Sequence, residues 1–314
     1  MYNYCTLFDF NYLTRGLAMY ESLKRHSEKF HLYIFAFDDK SYNMLQGFNL
    51  NDTTVISLKE FENEDLLNIK SSRTPAEYCW TCTPSIIKYS IEKFNLESCT
   101  YLDADLYFFS NPGILIEEMG DKSVLITEHR YSKKYNYSVK NGIYCVQFMT
   151  FKNNIKGLEV LDWWKESCNR WCYARFEDGK FGDQKYLDDW VSRFDCIHVL
   201  ENRGGGLAPW NIQQYNLNDK TFTPIFYHFH GLKRISNDKY SFSFYKFTKN
   251  DIELLYKPYV EHLEEIILRL KQIADYEYID HIKKGQFHWK DPYRFFKKIV
   301  TFEPKNIYKI KKLK

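Results

Sequence analysis

Two aspartates one residue apart, Asp103 and Asp105, stand between two apolar runs. Residues i and i+2 of a strand face the same side of a sheet, so the two carboxylates are predicted to point together into one cleft at a strand end. Neighbouring carboxylates repel each other unless positive charge lies between them, and hard divalent cations prefer such oxygen ligands. The spacing therefore indicates a metal site that holds a diphosphate. The alternative interpretation is a solvated strand end.

A second candidate for metal binding lies on a later predicted strand, where His228 and His230 would face one side together. An imidazole beside two aspartates makes a mixed nitrogen and oxygen site, which suits manganese, or magnesium, better than calcium. Gly231 would let the backbone approach a phosphate, and Lys233 or Arg234 would neutralise its charge. The alternative is a surface strand with two solvated histidines.

Three weaker motifs also have a structural as well as a functional interpretation. Asp183 and Gln184 stand where a helix would begin, so they either cap it or face a ligand. Asn141 and the glycine after it are typical of a hairpin turn. The loop from 203 to 211 carries three glycines and then Trp210 and Asn211. By position alone, we predict that this loop contributes to the choice of a second substrate, called the acceptor below.

The segments between these motifs predict alternating strands and helices over the first 230 residues. Strands are predicted at 5–8, 31–37, 53–58, 101–105, 123–127, 141–151, 197–201 and 224–230, and helices at 13–26, 83–94, 158–171 and 181–190. The helix at 83–94 is expected to carry Pro84 at its first position. This alternation predicts an α/β fold with a mostly parallel sheet, in which ligands bind beyond the carboxyl ends of the strands.

We divide the chain into parts at 1–240 and 241–314, and the character of the sequence changes from Asp251. The second part has a predicted helix up to Ile273, through Pro258, and then a tail that is basic and aromatic. From residue 291 to the end, eight Lys or Arg and two acids give +6, whereas the whole chain carries +3. The body is therefore not a basic nucleic-acid binder. The tail is expected either to lie on an anionic membrane surface or to pack locally.

The composition excludes a disordered chain, because 44% of the 314 residues are hydrophobic and 18% are aromatic. The eight cysteines include two close pairs, Cys79 with Cys82 and Cys168 with Cys172. We expect reduced and mostly buried thiols, with zinc as the less favoured alternative. No signal peptide or membrane-spanning segment is recognised, so the expected location is the cytoplasm.

In this order, the motifs resemble those of the GT-A glycosyltransferases, and most closely the family 8 type that includes glycogenin and the bacterial lipopolysaccharide galactosyltransferases. The resemblance covers about residues 4–235. It implies a Rossmann-like GT-A domain, here residues 1–240, with a helical extension after it. It also implies that Asp103, Asp105 and His228 hold the metal, with His230 as a rival ligand.

The resemblance also implies contacts to the donor. Asp9 and Tyr12 would bind the base, Asp103 would also lie near the ribose or sugar, and Asn141 resembles the first residue of an Asn-x-Gly turn that is one residue shorter here. Asp183 and Gln184 would lie beside the anomeric carbon. Where the family has a lysine followed by Pro-Trp, this chain has Arg234, preceded by Lys233 and without the Pro-Trp.

The implied activity is transfer of a sugar from a nucleoside diphosphate sugar, with UDP as the implied nucleotide, to a hydroxyl of a glycan or of a glycolipid such as a lipopolysaccharide core. Retention of configuration is implied, and Asp183 is the candidate base if the enzyme inverts. The enzyme would act in the cytoplasm or on the inner face of the membrane. Two alternatives stay open: a sugar nucleotidyltransferase, although the loop after Asp9 lacks the usual glycine-rich basic sequence, and a non-catalytic sugar-nucleotide or membrane binder.

Overall fold

A computed structural model describes residues 1–273, 276 and 307–309. The strands are β1 (Tyr2–Phe8), β2 (Phe30–Ala36), β3 (Thr53–Ser57), β4 (Ser98–Leu102), β5 (Leu106–Phe108), β6 (Val124–Glu128), β7 (Tyr144–Lys152), β8 (Ile197–Val199), β9 (Phe226–His228), β10 (Lys233–Ser236), β11 (Lys239–Ser241) and β12 (Ile307–Lys309). The helices are α1 (Leu13–His26), α2 (Asp39–Phe48), α3 (Leu58–Phe61), α4 (Glu64–Lys70), α5 (Pro75–Lys93), α6 (Gly113–Glu117), α7 (Ser138–Asn141), α8 (Ile155–Arg170), α9 (Trp190–Arg193), α10 (Lys249–Asp251) and α11 (Lys257–Ile273). Short 3-10 helices lie at Phe10–Tyr12, Lys133–Tyr135, Gln184–Asp189 and Ile212–Gln214, and a π-helix lies at Ile252–Tyr256.

The central sheet has the strand order β3-β2-β1-β4-β7-β6-β8. Its pairs are parallel except on the two sides of β7, which runs antiparallel to β4 and to β6. The predicted α/β fold with a mostly parallel sheet is therefore confirmed. The ends of β1, β4 and β6 and the beginning of β7 meet at one edge, where the chemistry-bearing residues lie.

Helices cover both faces of the sheet, because alternate residues of a strand point to opposite sides. In β1, Tyr4 and Phe8 belong to one buried core, which they share with apolar residues of α1 and α11. Cys5 and Leu7 belong to the other core, with α5 and α8. Strands buried on both faces read as continuous apolar runs, which is how β1 was recognised.

The helix predicted at 83–94 begins earlier, at Pro75, so Pro84 lies inside α5 and not at its first position. The true start is a capping box: Thr74 accepts a hydrogen bond from the backbone of Glu77, whose carboxylate accepts one from the backbone of Thr74. This signal is readable in the sequence as Thr-Pro-x-Glu. The longer helix brings its first turns to the edge of the sheet.

The sequence predicts a strand at 101–105, but β4 ends at Leu102. Asp103 and Asp105 therefore lie after the strand and not on it. The amide of Asp103 donates to the carbonyl of Gln147, which is the last contact with β7, and the amide of Leu106 then donates to the carbonyl of Asp103. The turn closed by this hydrogen bond sends the chain into β5, which pairs with β9 and not with the central sheet.

Two further local predictions are corrected. Asn141 ends the short helix α7 and does not form a hairpin turn: Gly142, at φ +102°, donates back to the carbonyl of Ser138, and β7 begins at Tyr144. The helix predicted at 181–190 is a 3-10 helix from Gln184 that continues into α9.

The region after residue 241 packs against the rest of the described chain. Glu21 of α1 accepts hydrogen bonds from His262 and Arg269 of α11, at 2.7 Å each. Pro258 is the second residue of α11, which begins directly after the π-helix, so the proline lies in the first turn of α11, where proline is tolerated. The domain boundary at 240 stays a prediction, and the basic aromatic segment at 287–298 lies outside the described residues. Among the described helices, none has both the length and the apolar character that crossing a membrane requires.

Candidate active site

A cleft of about 590 Å³ opens at the edge where β1, β4, β6 and β7 meet. Nine of the predicted site residues line it: Asp9, Tyr12, Asp103, Asp105, Asn141, Asp183, Gln184, His228 and His230. Gly231, Lys233 and Arg234 are not among its lining residues. The tertiary structure thus brings together residues that lie more than 200 positions apart in the sequence.

Asp103, Asp105 and His228 form a compact cluster in this cleft, with candidate ligand atoms all within 4.8 Å of one another. His228 Nε2 lies 3.1 Å from Asp105 Oδ1 and 3.7 Å from Asp103 Oδ2. The pairing of β5 with β9 creates this arrangement, since Leu106 stands opposite His228 in the register. Among the described residues, this is the group of His, Cys, Asp and Glu side chains that meets the spacing of a metal site.

The electrostatics of the cluster favour a positive charge between the carboxylates. Burial works to lower the pKa of His228, but the charge and hydrogen bond of Asp105 outweigh it and raise that pKa well above its usual range. Burial likewise works to raise the pKa of Asp105, but His228 overcomes it and holds the value at about 2. In the metal-free protein, a proton on His228 therefore supplies the positive charge that a divalent cation would bring.

Two buried side chains support the cluster from behind. His228 Nδ1 lies 2.7 Å from Gln147 Oε1, so the Nδ1–H donates to the amide oxygen and Nε2 faces the carboxylates. The hydroxyl of Tyr101 donates to Asp103 Oδ1 at 2.8 Å. Such outer partners are typical of metal-binding histidines and carboxylates, and the donor set of one nitrogen and two carboxylates fits manganese or magnesium. No local motif marked Gln147 or Tyr101 beforehand.

His230 lines the same cleft but is not part of the compact cluster. Its ring centroid lies 5.6 Å from that of His228 and 5.6 Å from that of Trp210, and its side chain is exposed to solvent. The geometry therefore favours His228 over His230 as the histidine ligand.

Asp9 and Tyr12 lie at the β1 side of the cleft. The carboxylate of Asp9 caps the 3-10 helix after it, accepting from the amide of Tyr12 at 3.2 Å and from Asn11 Nδ2 at 2.9 Å. Tyr12 keeps 43% of its surface exposed and packs on the guanidinium of Arg15, 4.7 Å from the ring centroid. One face of this ring is thus supported from below, which is the arrangement that a stacking platform needs.

Asp183 and Gln184 lie at the beginning of the 3-10 helix that faces the metal cluster. Asp183 is buried, and burial first, then the charge of Asp103, raises its pKa to about 8. Gln184 Nε2 donates to the carbonyl of Asn141 at 2.6 Å, which ties two of the predicted motifs together. Gly182, at φ +54°, lets the chain turn against the indole of Trp80.

The predicted phosphate cations do not face the cleft. The guanidinium of Arg234 is buried and pairs with Glu264 of α11, with 2.8 Å between Nε and Oε1. Lys233 is exposed on β10. The described residues that line the cleft include no lysine or arginine. A residue that was missed is Arg15, which is buried and donates to the carbonyls of Asn11 and Leu232, joining the loop after β1 to the loop after β9.

Of the residues that had been assigned to the acceptor by position, only Trp210 lines the cleft. Asn211 is fully buried, and its amide donates to the carbonyls of His129 and Gly206. It therefore holds the loop in place. The eight cysteines are free, and all but Cys79, which lines the cleft, are buried.

Two curated proteins resemble the chain over most of its length. YfnD of Bacillus subtilis (strain 168), described as an uncharacterized protein, is 30% identical over 279 residues, covering 85% of this chain and 90% of YfnD. YfnF of the same organism, also described as uncharacterized, is 29% identical over 286 residues, covering 86% of this chain and 94% of YfnF. No protein-family model matches the sequence.

Solved structures with the same fold include glycosyltransferases. The glycosyltransferase GlyE of Streptococcus pneumoniae TIGR4 superposes with a TM-score of 0.52 at 15% identity, covering 91% of this chain and 66% of GlyE. The galactosyltransferase LgtC, solved with donor and acceptor sugar analogues, gives a TM-score of 0.52 at 10% identity, covering 84% of this chain and 95% of LgtC. At these identities the comparison establishes the fold, which is the GT-A fold; it does not reach the family 8 assignment.

Proposed function

Since the chain belongs to the protein family that includes YfnD of Bacillus subtilis, and since it has the GT-A fold, we propose that it is a metal-dependent glycosyltransferase. It transfers a sugar from a nucleoside diphosphate sugar to a hydroxyl of a glycan or glycolipid. The observation that carries this proposal is the cluster of Asp103, Asp105 and His228 in the cleft at the carboxyl edge of the sheet. Ligands of such sheets bind at this edge.

In the proposed reaction, the bond between the anomeric carbon and the diphosphate oxygen breaks, and a bond to the acceptor oxygen forms. The proton of the acceptor hydroxyl leaves with the diphosphate. Asp103, Asp105 and His228 would hold a divalent cation, which would supply Lewis-acid stabilisation of the leaving group. Gln147 keeps the histidine in the tautomer that metal binding needs.

We further propose that the configuration is retained. An inverting enzyme needs a carboxylate that removes the proton of the acceptor hydroxyl, and Asp183 is the candidate for this role. Burial, and then the charge of Asp103, raise the pKa of this carboxyl to about 8 in the metal-free protein. In the retaining course that we propose, no carboxylate base is needed, and Asp183 and Gln184 contact the donor sugar.

The proposed nucleotide is UDP. The exposed ring of Tyr12 would stack on the base and Asp9 would accept a hydrogen bond from it. For the acceptor, we propose a glycan or a glycolipid that is reached from the membrane surface, because the segment after residue 290 carries the +6 charge. Binding of the full chain to anionic vesicles, and not to zwitterionic ones, is the expected result of a sedimentation assay.

The test of the proposed function is isothermal titration of the protein with UDP, GDP and CDP, each with and without Mn²⁺. We expect manganese-dependent binding of UDP, loss of that dependence in Asp105→Asn, and wild-type behaviour in the control Asp121→Asn, which changes an exposed carboxylate of the same type. A turnover screen with UDP-sugars would follow. Full metal-dependent turnover by Asp105→Asn would overturn the proposal, and release of pyrophosphate from a nucleoside triphosphate and a sugar phosphate would support a nucleotidyltransferase instead.

A further inference from the structure

Aromatic residues line the cleft on the side that lies away from Asp9 and Tyr12. His129 and Tyr131, which follow β6, stack with 4.5 Å between ring centroids and 11° between ring planes. Trp210 is the third member of this aromatic group. Its ring centroid lies 5.2 Å from that of His129, and its indole N–H donates to the carbonyl of His129. Aromatic faces of this kind pack against the apolar faces of sugar rings as well as against other apolar groups.

A second cavity of about 200 Å³ continues from this aromatic group. It is lined by Glu128, Arg130, Tyr131, Asn136, Ser138 and Ile143. Tyr131 lines both cavities, so its half-exposed ring stands at the boundary between them. The ring of Tyr131 is therefore a wall that the two cavities share.

The polar groups of the second cavity match the hydroxyls of a neutral sugar. Glu128 makes no ion pair within the described part of the chain, although Arg130 lines the same cavity, because the guanidinium of Arg130 donates to the carbonyls of Leu200, Asn202 and Gly205. Asn136 uses its oxygen to accept from the amide of Ser138, at 2.9 Å, which leaves its NH₂ group to donate. The residues that line the cavity therefore offer one carboxylate acceptor, one amide donor and the hydroxyls of Tyr131 and Ser138.

The order of the strands separates this cavity from the nucleotide side. Asp9 follows the end of β1 and Glu128 is the last residue of β6, and β4 and β7 lie between these two strands. With strands about 4.8 Å apart, three steps across the sheet amount to about 14 Å. The metal cluster follows β4, between the two sides, so a donor lying over β1 and β4 leaves the β6 side open to a second substrate.

We propose that the second cavity binds the second sugar ring of a saccharide acceptor. The first ring lies in the main cleft, against the aromatic group and beside the metal cluster. The next ring passes Tyr131, and Glu128 accepts hydrogen bonds from its hydroxyls. This inference rests on the proposed function, and it adds that the enzyme prefers an acceptor of at least two sugar residues.

The test uses the full chain saturated with UDP and Mn²⁺. An array of glycans from one to four residues is screened first, and the best disaccharide and its terminal monosaccharide, as methyl glycosides, are then titrated. We expect the disaccharide to bind at least about tenfold more tightly. Glu128→Gln and Tyr131→Ala should bring the ratio of the two affinities close to one, whereas Tyr131→Phe, which keeps the ring, and Glu159→Gln, an exposed control on α8, should retain it.

The outcomes separate this inference from the proposed function. If UDP and Mn²⁺ bind but the disaccharide binds no more tightly than the monosaccharide, or if Glu128→Gln keeps the wild-type ratio, the second-ring site is overturned and the proposed function stands. Binding of no glycan on the array by the UDP-bound protein would overturn it as well. Failure of the wild-type protein to bind any nucleotide with Mn²⁺ would remove the proposed function, and the second-ring site with it. Titration of UDP into each variant checks that the variant is folded.

Discussion

The imidazole Nδ1 of His228 and the amide oxygen of Gln147 lie 2.7 Å apart, and both side chains are buried. The two residues come from different sheets: Gln147 from the antiparallel strand β7 of the central sheet, and His228 from the end of β9. Because Gln147 accepts the Nδ1 proton, Nε2 is the nitrogen that faces Asp103 and Asp105; it carries a proton in the metal-free protein and would offer its lone pair to a cation that replaces this proton. The metal cluster thus depends on a residue that contacts neither carboxylate.

The first prediction concerns this residue. Gln147→Leu should weaken Mn²⁺ binding by about 10–100-fold, because loss of the outer hydrogen bond frees the ring and the tautomer of a histidine ligand. Mn²⁺ affinity measured by isothermal titration checks this. Gln147→Glu, which keeps an acceptor at the same place, should bind closer to wild type. Equal Mn²⁺ affinity in Gln147→Leu and the wild type would show that Gln147 does not orient the ring.

The second prediction concerns the ring of Tyr12. Tyr12→Ala should lower the affinity for UDP in the presence of Mn²⁺ by about 1–3 kcal/mol, which is the usual value of stacking between a base and an aromatic ring. Tyr12→Phe should bind UDP as the wild type does, because it keeps the ring and loses only the hydroxyl. Titration of UDP into the three proteins is the measurement. A loss of similar size in Tyr12→Phe would mean that the hydroxyl, and not the ring, contacts the nucleotide.

The third prediction concerns Asp183 and pH. The folded protein holds the pKa of this carboxyl at about 8, above its usual value of 3.8, so the folded state binds more protons than the unfolded state between these values. The free energy of unfolding contributed by this group therefore falls as pH rises from 4 to 8. The side chain of Asp183→Asn cannot ionise, so this variant does not lose that part of its free energy of unfolding as the pH rises.

Thermal melts of the protein freed of metal with a chelator test this. At pH 8, Asp183→Asn should melt at a higher temperature than the wild type, and the difference should shrink towards pH 5. A control that removes an exposed carboxylate, Asp121→Asn, should follow the wild type at every pH. A difference that grows as the pH is lowered would contradict the assignment.

The fourth prediction concerns the ion pair of Arg234 and Glu264, which joins β10 to α11. Arg234→Met should destabilise the fold by about 3 kcal/mol or more, because it leaves a partly buried carboxylate without its partner. The double variant Arg234→Met with Glu264→Leu should recover part of the loss, and Lys233→Met, on the exposed neighbour, should have little effect. Denaturant unfolding gives these values.

Measured under conditions in which Arg234→Met is folded, its affinity for UDP and Mn²⁺ should equal that of the wild type, since the guanidinium lies outside the cleft lining. A large loss of nucleotide affinity without a loss of stability would mean that Arg234 contacts the diphosphate.

Most of the fold could be predicted from local patterns of apolar residues in the sequence. Helix α1 was predicted at its observed bounds, and most central strands to within three residues, because apolar spacing and burial are local properties of a segment. The predicted start of α5 is wrong although the capping box at Thr74 is visible in the sequence, because Pro84 also fits the first position of a helix. The proline was an ambiguous signal, because it stands at the first position of many helices and inside a few.

Local sequence patterns are enough to predict an α/β chain with a carboxylate pair after a buried strand, and the order of the motifs relates His228 to that pair. Which side chains meet depends on how the elements pack: Gln147 of β7 supports His228 of β9 across 81 positions, and Glu264 of α11 holds Arg234 of β10 outside the cleft. In both pairs the partners come from different elements of the chain. Periodicity specifies which face of an element is buried, whereas the packing of elements alone specifies what that face touches.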